Sequence, residues 1–88
     1  MGDTRAILEK LGGVIRTELN AAGAEITRDT TSDDVDGWDS LAHARLMLAV
    51  ESSFDIHLPG GRLFDLREVG DLVDLIDECQ KTEVGDAV

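Results

Sequence analysis

The 88-residue chain carries nineteen acidic side chains against eight basic ones, a net charge of −11, with only three aromatic residues and a single cysteine, Cys79. This length makes one domain, 1–88, too small for a deep catalytic cleft with its own supporting shell. The negative field excludes nucleic-acid binding, and one cysteine makes neither an internal disulfide nor a cysteine-rich metal site.

Acids and bases nearly balance over residues 1–32, five against four, but stand at fourteen against four over 33–88. Solubility alone does not account for that concentration, which suits the steering of positively charged protein partners. No run approaches the roughly 18 apolar residues of a membrane span, and the N-terminus lacks the apolar core of a signal peptide. Met1-Gly2 is not followed by the Ser or Thr that myristoylation expects, since Ala6 stands there. The expectation is a soluble, cytoplasmic protein with no membrane insertion.

Ile7, Leu8, Leu11, Val14, Ile15 and Leu19 recur at helical spacing and predict a first helix from Asp3 or Thr4 to Asn20, with Asp3 or Thr4 as its cap. Gly12-Gly13 inside it costs on the order of 1 kcal/mol per glycine relative to alanine, so this helix depends on packing. Residues 21–38 then read as a long acidic loop with Ala24, Ile26 and Val35 as apolar anchors. Loops longer than about 12–15 residues in small domains are usually functional or disordered.

A second helix is predicted from Asp39 or Ser40 to near Phe54. Leu46, Met47, Val50 and Phe54 share one face, with His43 among them, and Leu41, Ala44 and Leu48 share the opposite one. One apolar stripe suffices for a core, so the second is expected to be a docking face. Burial of both faces between helices is the other reading. A connector, Asp55 to Gly61, leads to a short helical turn at Arg62-Leu63-Phe64 and a capping box of Asp65 and Glu68. Val69, Leu72, Val73, Ile76 and Cys79 predict a last long helix, with Lys81 favourably placed near its C-terminal end. Residues 82–88 read as a frayed tail, leaving a core of 4–80. The fold class is all-α: a small four-helix bundle, three long helices plus one short helix.

The segment that carries chemistry is Gly37-Trp38-Asp39-Ser40-Leu41. Ser40 at a helix start is exposed, and a phosphate on it would meet unpaired N–H groups and the positive helix end. Asp39 or Ser40 as nothing more than an N-cap is the bland reading of the tripeptide. Other chemistries fail on spacing. Aligning Gly37 with the glycine of a calcium loop puts Ser32 first and His43 twelfth, where glutamate is required. A hydrolase serine needs a base oriented by a third group, and His43 lies three residues away on a different helical face. His57 has no cysteine or histidine at zinc-ligand spacing.

The order of elements, the acidic loop, Gly37-Trp38-Asp39-Ser40-Leu41 and the Phe54-Asp55-Ile56 ending of the second helix resemble the acyl carrier protein family over residues 5–80. The resemblance implies the bundle of that family and a non-catalytic carrier. It further implies a 4′-phosphopantetheine arm, moved from coenzyme A to Ser40 by a phosphopantetheinyl transferase, with Asp39 part of the motif. The arm's thiol would hold acyl or aminoacyl intermediates as thioesters, loaded by a ligase, synthase or transferase docking on Leu41, Ala44, Arg45 and Leu48 of a monomer. Arg45 stands where many fatty-acid carriers are acidic. The Gly-Trp-Asp-Ser-Leu-x-His form looks like stand-alone carriers of specialised pathways, some of which receive amino acids. An unmodified acidic helical docking module is the alternative that the same residues allow.

Overall fold

A computed structural model of the chain describes residues 4–58 and 66–86, with side chains through residue 81. Among the described residues every regular element is helical: α1 (Thr4–Glu18), a 3-10 turn (Ser32–Asp34), α2 (Ser40–Phe54) and α3 (Val69–Asp86). The short turn expected at Arg62–Phe64, the Asp65 half of the capping box and the Asp3 cap lie outside the described residues, while Glu68 directly precedes α3 instead of standing third in it. α1 packs against both α2 and α3.

α1 buries Ile7, Leu11, Gly12 and Ile15, spaced three and four apart, with Leu8, Val14 and Leu19 half-buried beside them. The helix stops two residues before Asn20, which takes a left-handed conformation at φ 54°. Asn20 N–H donates to the Thr17 carbonyl and Ala21 N–H to the Arg16 carbonyl, the paired bonds that close a helix through a left-handed residue. α2 ends in the same way: Asp55 has φ 55° and Ile56 N–H reaches the Glu51 carbonyl. Short polar side chains tolerate that conformation, which is why neither position requires glycine. Lys10 stands 4.9 Å above the centre of the Phe54 ring and joins α1 to the end of α2.

The segment between α1 and α2 is a tied structure. Ile26 and Val35 are buried and Ala24 packs against the core. Thr30, the buried polar residue of this segment, accepts the Thr27 N–H on its hydroxyl at 2.8 Å. Its carbonyl accepts from Val69 N–H, and the Arg28 carbonyl accepts from Gly70 N–H at 2.7 Å. Arg28 also pairs with Asp74 at 3.0 Å. The loop thus supplies acceptors that the first amides of α3 need and is fastened to that helix.

α3 buries Val69, Leu72, Val73 and Ile76 as the spacing predicts, and Leu75 as well. It runs on to Asp86, so its backbone includes residues that the sequence reading placed in a frayed tail. No proline interrupts that stretch, and each added residue gains an i→i−4 backbone bond. Lys81 pairs with Asp77 one turn earlier at 3.1 Å. At the other end Asp71 accepts the N–H groups of Arg67 and Glu68, at 3.1 and 3.2 Å.

Candidate functional site

Gly37 turns the chain into α2 with φ 86°, a conformation that L side chains rarely adopt. Asp39 is the N-cap: its carboxylate accepts the Ala42 N–H at 2.8 Å, and its carbonyl accepts from His43 N–H. Ser40 is therefore the first helical residue, and it is exposed. The amides of Ser40 and Leu41 precede the first intrahelical bond and have no acceptor within the helix.

Trp38 is half-buried against the core and donates its indole N–H to His43 Nδ1 at 3.1 Å. The two rings stack with centroids 6.2 Å apart and planes at 23°. These residues flank the cap at the positions where a side chain before the helix packs on its fourth residue, fixing the entry of the chain. That spacing was the signal in the sequence for this pair. It also bears on catalysis: with Nδ1 accepting the Trp38 N–H the ring proton sits on Nε2, the nitrogen that takes the serine proton in a catalytic triad.

Beside Ser40 lies a cavity of about 340 Å³. Thr30 and Ser32 of the loop, Trp38, Ser40 and His43 at the start of α2, and residues 66–69 and Leu72 near the start of α3 line it. The sequence placed Ser40, Asp39, Trp38 and His43 near one another; it did not reveal that Thr30, Leu66 and Arg67 share their cavity. On the outward side of α2, Leu41 is 69% and Leu48 67% exposed, with Ala44 and Arg45 exposed between them. The opposite stripe of Leu46, Met47, Val50 and Phe54 is buried, so the two faces of α2 divide as the periodicity predicts. Among the described residues no group of three His, Cys, Asp or Glu side chains is placed to hold a metal ion.

Residues 9–76 match the family described as phosphopantetheine attachment site. Over 76 residues the chain is 37% identical to the acyl carrier proteins of two Streptococcus pneumoniae strains, TIGR4 and R6, spanning 86% of this chain and 99% of theirs. The chain belongs to the acyl carrier protein family. The fold agrees: the solution NMR structure of the holo acyl carrier protein from Geobacter metallireducens matches with a TM-score of 0.81 at 33% identity, over 89% of this chain and 90% of that one.

An acyl carrier protein is a carrier and not an enzyme. It bears a covalently attached 4′-phosphopantetheine and works with a phosphopantetheinyl transferase and with acyl-handling enzymes. The reading as an unmodified docking module falls with this result. Among the described residues no helix is long and apolar enough to cross a membrane.

Proposed function

We propose that Ser40 bears the arm, that Asp39 holds the helix start on which it stands, and that partner enzymes dock on Leu41, Ala44, Arg45 and Leu48. The observation that carries this reading is an exposed hydroxyl on the first residue of α2, at the edge of a cavity. The residues there fit the group. Its phosphate finds two free helix amides, Ser40 and Leu41, and a guanidinium, Arg67, across the cavity. Trp38, Leu66 and Leu72 offer apolar wall to the uncharged part of the arm.

In the loading step the Ser40 oxygen forms a bond to the phosphorus nearer the pantetheine in coenzyme A. The pyrophosphate bridge breaks, adenosine 3′,5′-bisphosphate leaves, and the hydroxyl proton passes to a base on the transferase. Once attached, the group supplies a thiol that holds acyl chains as thioesters. The domain contributes a fixed helical base and a high effective concentration of cargo at each partner's active site.

Arg45 supports partners outside housekeeping fatty-acid synthesis, with an acyl- or aminoacyl-loading ligase, synthase or transferase that presents an acid to it. The working form is a cytoplasmic monomer. The test is intact mass after incubation with coenzyme A and a broad-specificity transferase. One arm is expected on the wild type and none on Ser40→Ala; addition to the alanine variant overturns the assignment.

A further inference from the structure

Among the described residues Arg67 is the only lysine or arginine that lines the cavity beside Ser40. The others are engaged elsewhere or face away. Arg28 pairs with Asp74, Lys81 with Asp77, Arg16 with the Ala24 carbonyl and Lys10 with the Phe54 ring. Arg5 has an interaction of its own, and Arg45 stands exposed on the outward side of α2 with Leu41 and Leu48. Arg67 is different: its backbone N–H is held by Asp71 at 3.1 Å, which fixes its place at the rim. Its side chain is exposed, and among the described residues no carboxylate forms an ion pair with it.

Across the cavity the local charge is negative. The Asp39 carboxylate is committed to the cap of α2, next to Ser40, and Glu68 lines the same space. A phosphodiester on Ser40 adds a further anion there, in a chain already at −11. Like charges crowded at one helix start repel, and a nearby guanidinium relieves that repulsion. Its planar fork of N–H donors matches two phosphate oxygens at once.

We propose that Arg67 is the counter-ion of the phosphodiester on Ser40, so that the start of α3 holds the base of the arm against the domain. This rests on the assignment of the arm to Ser40. The ligand chemistry is a phosphate monoanion, and the specificity lies in a cation carried by the element facing the serine.

The experiment uses holo protein with the arm located by peptide mass mapping, in wild type, Arg67→Gln, Arg67→Lys and Arg45→Gln forms whose folding is checked by circular dichroism. The readouts are the phosphorus-31 resonance of the phosphodiester and the Arg67 Nε–H resonance. At about 10 mM salt, where the Debye length is about 30 Å, Arg67→Gln should shift the phosphorus resonance. Arg67→Lys should retain part of the wild-type position, and Arg45→Gln should leave it unchanged. The Arg67 Nε–H resonance should move between apo and holo protein. Raising salt to about 1 M, with a Debye length of about 3 Å, should bring wild type towards the glutamine variant. A phosphorus resonance that Arg67→Gln does not move, or that Arg45→Gln moves equally, overturns the role of Arg67 alone. An arm mapped to a residue other than Ser40 overturns both assignments.

Discussion

Trp38 and His43 close a bridge over the start of α2, with the indole N–H donated to Nδ1 at 3.1 Å. The bond requires a lone pair on Nδ1, which puts the imidazole N–H on Nε2. Because the pair flanks Asp39 and Ser40, it sets the direction from which the chain enters the helix that presents the serine.

A double-mutant cycle on this pair should therefore show coupling. Trp38→Phe retains most of the ring but loses the N–H, and His43→Phe loses the acceptor. We expect an interaction energy of about 0.5–1.5 kcal/mol in urea unfolding, the range of a single net hydrogen bond. Additive effects would mean that the bond contributes contact but no stability.

Two glycines should respond in opposite directions. A Cβ at Gly13 meets nothing within 4 Å, so Gly13→Ala should stabilise α1 by about 0.5–1 kcal/mol through helix propensity. A Cβ at Gly70 would stand 3.0 Å from the Arg28 carbonyl oxygen and 3.2 Å from its Cβ. That carbonyl is held by the Gly70 N–H itself, so it cannot retreat without losing a bond. Gly70→Val should cost about 1–3 kcal/mol, as overpacking does. Thermal unfolding of the two variants is the check.

The two faces of α2 should separate stability from function. Leu46→Ala and Phe54→Ala should each cost about 2–5 kcal/mol, because both side chains are buried in the core. Leu41→Ala and Leu48→Ala should stay within about 1 kcal/mol of wild type, both being more than half exposed. The same two changes should slow loading by the native partner. Arg45→Glu should weaken that loading while sparing attachment of the arm by a broad transferase. Melting temperatures lowered equally by all five variants would show that the outward stripe is structural.

Salt should stabilise the fold. A net charge of −11 repels itself, and the ion pairs Arg28–Asp74 and Lys81–Asp77 each have one partner, Asp74 and Lys81, that is more than half exposed, so screening removes little attraction. Melting between about 10 mM and about 0.15 M sodium chloride, Debye lengths of about 30 and 8 Å, should rise by several degrees, since about 1 kcal/mol moves a domain this small by about 4–8 °C. A melting temperature independent of salt would show that the charges are already well dispersed.

Much of this protein was legible in its residue order. Helical period alone located α1, α2 and most of α3, because burial on one face imposes a spacing of three and four. It separated Leu46, Val50 and Phe54 from Leu41 and Leu48 for the same reason. Ser40 stood out through its local setting: the segment Gly37-Trp38-Asp39-Ser40-Leu41 at a predicted helix start, where Asp39 can cap and the first amides are unpaired.

What the tertiary structure alone decided depends on groups far apart in the chain. Thr30 looked like one more loop hydroxyl, yet the loop folds onto α3 and its carbonyl accepts the Val69 N–H. Leu75 lies off the stripe expected for α3 and is buried all the same, because a helix in a small bundle is covered on more than one side. Arg67 carried no signal beyond a charge near a cap. Its place on the wall of the cavity that Ser40 also lines exists only once the loop has fastened the start of α3 beside the start of α2. Periodicity and capping act within a turn or two of helix, so they are written in neighbouring residues. The cavity is made by three segments meeting, and that meeting is set by packing and long-range backbone bonds that no local pattern encodes.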